Sequence, residues 1–207
     1  MRDIASVYHF YWVISCIIGG FGLKIWQLKS NFDGFETLQL VNADQDYDKY
    51  FKEKIYTNFP LINEWESVYV HTQDGEKYSD NPHFWAGAGI PVFSKKAIDA
   101  LQELLKDDVE LLPIVHNKYE YFIIHITNVL DAIDYDKTQL KRLKSGLIVG
   151  FENYAFLGDK VKSNIFKVYL NNKIYPSSVF VTDKFREYAI KSRLVGFDFV
   201  EVWDDEK

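Results

Sequence analysis

The chain has 207 residues, an apolar fraction of 47%, an aromatic fraction of 17% and a formal net charge of −6. That much apolar material supplies the core of one domain, or of one domain with a substantial N-terminal lobe, and excludes an intrinsically disordered chain. The acidic balance, with no basic run longer than Lys141-Arg142-Leu143-Lys144, argues against nucleic acid as a direct ligand and for a basic protein as partner.

The first 22 residues stand apart. Their apolar run, from Tyr11 to Leu23, is too short for a membrane-spanning helix and is broken by Gly19-Gly20. Three readings compete. A signal peptide would lack a clear positive n-region, since Arg2 is offset by Asp3. Val13-Ile14-Ser15-Cys16 loosely resembles a bacterial lipoprotein cleavage box, with Cys16 as the lipidated residue. In the third reading, Gly19-Gly20 is encoded by a ribosome-binding sequence and translation starts at Leu23, read as Met. This last reading is the expectation, and the nucleotide sequence with the mass of the native protein checks it. Cys16 is the one cysteine, which excludes an internal disulfide framework and a multi-cysteine metal site and fits a reducing compartment.

From Leu23 the pattern is that of a domain. Ile25, Trp26 and Leu28, the turn residues Ser30 to Gly34, and Phe35 to Val41 predict a hairpin. Asp44 to Lys54 carries Tyr47, Tyr50 and Phe51 at helical spacing and predicts a short amphipathic helix. Trp65 to His71 alternates as a strand, and Asp74-Gly75 marks a turn. The loop Ser79 to Gly89 follows. Its Gly87-Ala88-Gly89 lacks the third glycine and the strand context of a dinucleotide fingerprint, so it reads as a linker.

Pro91 to Ile114 is the clearest unit. Val92-Phe93 ends a strand, Ser94 is the expected N-cap, and Ala97, Ile98, Leu101, Leu104 and Leu105 line one helical face before a strand at Val109 to Ile114. Val179 to Val202 repeats the plan: Val179-Phe180-Val181, Thr182, a helix carrying Phe185, Tyr188, Ala189 and Ile190, a stop at Gly196, and a strand from Phe197. Cap and following strand are equally far apart in both units. Between them, Tyr119 to Ile126 predicts a strand that is apolar on both faces at its far end and central in its sheet. Leu147 to Val149, Ala155 to Leu157 and Ile165 to Leu170 add short strands. The expected fold is α+β: a mixed, mostly antiparallel sheet with helices near 94–106 and 183–193 packed on it and a β-rich N-terminal lobe. The expected divisions are 1–22 as leader, 23–90 as N-terminal lobe and 91–207 as core domain.

The stretches PVFSKKAIDALQELL, VELLPI, YFIIHITNVLDAIDYDKTQL, NIFKVYL and VFVTDKFREYAIKSRLVGFDFVEVW, taken together, resemble a bacterial immunity-protein family whose members are encoded beside polymorphic toxins. The likeness spans roughly Leu23 to Trp203. It implies a cytoplasmic protein that binds and neutralises a cognate toxin, with no catalytic, cofactor-binding or metal residue assigned and no toxin-binding residue readable.

Side chains with chemistry are few. Asp131, Asp134 and Asp136 could serve as general acid/base groups or hard-metal ligands, but their spacing is not a calcium loop, and they read as a solvated turn with Asp136 or Thr138 capping a short helix toward Leu140. His125 could be a base oriented by Asp131 or Asp134, which gives the alternative of a small metal-dependent or acid/base enzyme. On an apolar strand it reads first as a hydrogen-bonded core residue. His116 and His125 are too far apart for a helical metal pair. His83-Phe84-Trp85 is either an exposed recognition loop or core. Asp44-Gln45-Asp46-Tyr47-Asp48, Asp107-Asp108 and Asp204-Asp205-Glu206 suit steering onto a basic toxin such as a nuclease, or are simply solvated surface.

Overall fold

The structure, a computed structural model, describes residues 22–207. The readings placed on residues 1–21, Cys16 among them, lie outside the described residues. Strand Lys24–Ser30 (β1) finds its ladder partners at the far end of the chain, between Val179–Thr182 (β13) and Phe197–Asp204 (β14), antiparallel to both. Ile165–Leu170 (β11) and Lys173–Ile174 (β12) extend this sheet beyond β13, with Val129–Leu130 (β8) parallel to β11. A second sheet takes Thr37–Leu40 (β2), Val68–Asp74 (β3), His83–Phe84 (β4), Val92–Ser94 (β5), Val109–Val115 (β6) and Glu120–Ile126 (β7), in the order β4-β2-β3-β6-β7-β5. Gln139–Arg142 (β9) and Ile148–Asn153 (β10) form a separate two-stranded ribbon. With α-helices Ala43–Asp46 (α1), Lys95–Leu105 (α2) and Asp183–Lys191 (α3), the architecture is α+β with mixed, mostly antiparallel pairing.

The expected hairpin of β1 and β2 does not form. The turn is present, with Gly34 at φ +74°, but it passes the chain from one sheet to the other. The exit of β1 is held instead by distant groups: the Asn31 N–H donates to Gly196 O and the Asn81 amide to Lys29 O. Nor is there a strand at Ala155 to Leu157, where Phe156 makes only an isolated bridge to Ile133.

The two matched units share one topology. β5 and β6 are both antiparallel to β7, which lies between them; β13 and β14 are both antiparallel to β1, which lies between them. Each unit is thus a parallel strand pair joined by a helix and split by one antiparallel strand. Alternation sets which residues point where. Val179 and Val181 face the cluster that buries Ala97, Leu101, Leu104, Phe185 and Ala189, while Phe180 faces a second cluster with Phe156 and Phe166 on the other side of its sheet. In β7, Ile124 and Ile126 join the helix-side cluster and Tyr121 and Ile123 join a third around Tyr50 and Phe51, so this strand is apolar on both faces as its sequence predicts.

The helix ends differ in their chemistry. Ser94 caps α2 as expected, its Oγ accepting from the Ala97 N–H at 3.0 Å. Thr182 sits at the matching position of α3 but donates its hydroxyl to Asn164 Oδ1 instead. Helix α3 is closed by Arg193 rather than Gly196: Arg193 takes φ +53°, and the N–H groups of Arg193 and Leu194 reach back to Ile190 and Ala189. Gly196 has another task. At φ +80° it lies against Ser79, and a Cβ there would come within 1.9 Å of Ser79 Oγ.

That contact belongs to a buried polar strap, Ser79-Asp80-Asn81. One Asp80 oxygen accepts from Ser94 Oγ (2.7 Å) and the Tyr78 hydroxyl (2.9 Å); the other accepts from the Val195 N–H (2.9 Å) and Lys96 Nζ (3.0 Å). Its backbone N–H donates to Val195 O and its carbonyl accepts from the Ser94 N–H. One residue therefore ties the start of α2 to the turn after α3. Burial alone would raise the Asp80 pKa, and the four donors together outweigh it and hold the carboxyl below the usual carboxylate range. Next to it, buried Glu36 accepts from the Tyr121 hydroxyl (2.6 Å), Thr72 Oγ1 (3.2 Å) and the Ser79 N–H (3.2 Å).

Two outcomes follow from these buried charges. Asp80→Asn leaves buried donors unmatched and lowers the unfolding free energy by about 3 kcal/mol at neutral pH. Because the folded carboxyl is held low, this contribution is present above about pH 4 and is lost as pH falls through the folded pKa. Urea titrations of both proteins should therefore converge in acid, and a gap that stayed constant would contradict the clamp. Lys167 in β11 is buried with its ammonium 5.5 Å from the Tyr56 ring, and burial pushes its pKa down to about 8. The folded chain thus sheds a proton that the unfolded chain keeps, so stability rises with pH from about 8 to about 10.5. Lys167→Met should stabilise the protein at neutral pH by on the order of 2–3 kcal/mol and flatten that rise; unchanged unfolding at both ends of the range would rule this out.

Candidate functional site

A face with exposed aromatic side chains starts from a two-residue strand. β4 pairs in parallel with β2, and the Trp85 N–H extends the ladder to Leu38 O at 2.9 Å. Alternation then sends Phe84 inward, against Phe51 at 5.4 Å between ring centroids, and leaves His83 and Trp85 outside. His83 lies 4.6 Å from the Trp85 ring and 5.4 Å from Phe32, and Trp85 and Phe32 are 55% and 63% exposed. Of the three residues Trp85 is exposed, His83 is half-buried beside it and Phe84 belongs to the core.

β2 runs directly into α1 and a wider π-helical turn, Tyr47–Phe51, and this brings the first acidic cluster to the same place. Asp44, Tyr47 and Asp48 line a groove of about 370 Å³ together with Leu40, Trp85 and Ala86. Asp46 is different. It is buried, its Oδ2 has no hydrogen-bond partner among the described residues, and burial raises its pKa. Tyr50 and Phe51, on the inner side of the turn, anchor it by packing on Trp65.

Each of the other two acidic clusters turns one carboxylate inward, while Asp107, Asp205 and Glu206 are exposed. Asp108 accepts from Asn128 Nδ2 (2.8 Å) and Ser163 Oγ (3.1 Å), tying β6 to the segment before β11. Asp204 pairs with Lys24 at 2.8 Å and is nearly buried. The cluster at 44–48 sets carboxylates beside the exposed rings of Tyr47 and Trp85.

The acid/base constellation is not assembled. His125 is buried with both ring nitrogens engaged, Nδ1 at 2.9 Å from Glu110 Oε2 and Nε2 at 2.9 Å from Thr57 O. Glu110 also accepts from the Leu61 and Ile62 N–H groups, so the pair pins segment 57–62 to the sheet. Asp131 instead faces Lys160 at 3.8 Å, and Asp134 faces Lys137 at 3.6 Å and accepts from the Asp136 N–H. The stretch 134–138 is a turn leading into β9, not a helix toward Leu140, because Thr138 spends its hydroxyl on Ala155. Among the described residues no group of three or more His, Cys, Asp or Glu side chains could hold a metal ion.

The glycines of Gly87-Ala88-Gly89 serve close packing. A Cβ on Gly87 would meet the Tyr56 hydroxyl at 2.1 Å, and one on Gly89, at φ +65°, would meet Pro176 O at 2.0 Å. The loop is thereby wedged between the two halves of the chain. Phe32 carried no sequence signal for the site, since it lies in a turn and reaches His83 only through the fold.

No helix among the described residues is long and apolar enough to cross a membrane. No curated protein matches the chain. The model of the immunity protein family Imm11 matches residues 58–204, which is well over half of the chain, and the protein therefore belongs to the Imm11 immunity protein family.

Proposed function

We propose that this protein neutralises a cognate toxin by binding it stoichiometrically, in the cytoplasm of a cell that makes the toxin or receives it from siblings, through the face formed by Phe32, Asp44, Tyr47, Asp48, His83 and Trp85. Family membership supports the toxin-neutralising role. The observation that carries the choice of face is the placing of an exposed tryptophan and two outward carboxylates around one groove. Large planar side chains bury much area at small entropic cost and dominate binding energy where they are desolvated. The carboxylates around them favour a basic surface, speed its encounter and exclude acidic ones. An interface of about 1,200–2,000 Å² in total would cover this face and physically close the toxin's active site or substrate path. Binding of this kind needs no turnover and no cofactor, in keeping with a His125 whose ring nitrogens are both occupied inside the fold.

The test uses the toxin domain encoded beside this gene. The wild-type protein should rescue cells expressing it and titrate it at one to one. Trp85→Ala should weaken binding by about thirtyfold or more. Asp44→Lys with Asp48→Lys should slow association, most strongly at low salt. Exposed Asp131, changed to Asn, serves as the control with no effect. Tight binding by Trp85→Ala would move the interface elsewhere, and protection at a small fraction of the toxin concentration would replace occlusion with catalysis.

A further inference from the structure

Segment 57–62 brings Phe59 and Ile62 to the surface, 72% and 45% exposed, with Pro60 between them. Its flanks are held without it. Ile55 is buried on one side, and on the other the Tyr50 hydroxyl donates to Glu64 O and the Trp65 indole N–H to Pro113 O. The middle depends on the buried Leu61 side chain and on the pair formed by His125 and Glu110.

The hydrogen bonds of that pair fix where its protons lie. Thr57 O is a carbonyl that can only accept, so His125 Nε2, 2.9 Å away, carries a proton. Glu110 accepts from the Leu61 N–H at 2.7 Å and the Ile62 N–H at 3.3 Å, which is the chemistry of a carboxylate, and its Oε2 also lies 2.9 Å from His125 Nδ1. Two buried lone pairs at that separation repel, so a proton sits between them, and the two backbone donors on the carboxylate keep it on the ring. An imidazolium is tolerated in this interior because a carboxylate faces it.

We infer that the His125–Glu110 pair is a proton-dependent latch: with both ring nitrogens protonated it holds segment 57–62 in place, and loss of the Nδ1 proton sets a ring lone pair against the carboxylate and frees the segment. The latch is closed on the acid side and opens as pH rises through the titration of the ring. Tyr50 and Trp65 confine the motion to the middle of the loop, so Phe59 and Ile62 lose their fixed positions while the sheet stays intact. The device is independent of the face proposed for the toxin. The other ionisable groups around it are Tyr56, in the turn before Thr57, and Lys167 of β11, whose ammonium lies 5.5 Å from the Tyr56 ring; Lys54 pairs outward with Glu64 at 2.6 Å. Burial pushes Tyr56 up and Lys167 down to about 8, so Lys167 is the group to be separated from the ring in a titration.

Nuclear magnetic resonance of the full chain, with the histidine ring nitrogens labelled, reads both halves of the latch. At about pH 6 His125 should show two bonded ring protons, and the Leu61 and Ile62 amides the signals of a bonded segment. As pH is raised to about 9, the Nδ1 proton and these two amides should change together over one interval, and the open fraction of the segment should grow at least about tenfold. Lys167→Met should leave this coupled transition in place. Glu110→Gln offers an amide that can donate to a neutral ring, and it should abolish the transition. The latch is overturned by a ring with a single proton while the segment is bonded, by a ring that keeps both protons to about pH 9, by ring and segment titrating separately, or by a transition that disappears with Lys167.

Discussion

The fold depends on one buried carboxylate. Asp80 collects donors from Tyr78, Ser94, Lys96 and the Val195 backbone, and so joins the first residue of one helical unit to the turn that ends the other. A buried charge is tolerable only when its lone pairs are filled, so the four donors must arrive together or the site does not form. The same strap fixes the rest of its surroundings: Ser79 lies against Gly196, Asn81 reaches β1, and Glu36 binds Ser79 and Tyr121 on the side of the second sheet. Because each of these contacts spans many residues of sequence, the strap is where the two sheets are held in relation to each other.

The proposed binding face follows from that arrangement at short range. Two residues beyond the strap the chain becomes β4, and the pleat of this short strand decides that His83 and Trp85 face out while Phe84 goes into the core. β2 is held between β3 and β4, and α1 begins three residues after it, so the carboxylates of Asp44 and Asp48 cannot be far from Trp85. The backbone on both sides of the groove is hydrogen-bonded in strand and helical turn, an arrangement that lowers the ordering cost when a partner binds.

The acidic clusters show how identical composition takes opposite roles. Asp44 and Asp48 stand outward on the exposed side of a helical turn; Asp108 accepts from Asn128 and Ser163, and Asp204 pairs with Lys24. Likewise His125, which the sequence reads first as a hydrogen-bonded core residue, has Glu110 set opposite it by the strand pairing, and a loop carries Asp131 to Lys160. Local sequence reports that a side chain is charged. Its partner is chosen by whichever element packs across from it.

What the sequence determined by itself is everything encoded in short-range periodicity: the apolar face of α2 and its Ser94 cap, the matched helical units, the strands at 120–126 and 165–170, the α+β class and the family resemblance. These are legible because helical and strand periods are written over a few neighbouring residues and depend little on the remainder of the chain. Tertiary structure alone decided that β1 pairs with β13 and β14 rather than with β2, that Arg193 and not Gly196 closes α3, that Asp80 is the clamp, and that Phe32 joins His83 and Trp85 beside the acidic turn. Each of those outcomes is a contact between residues distant in sequence, selected by competition for burial and for hydrogen-bond partners that exists only once the whole chain is folded.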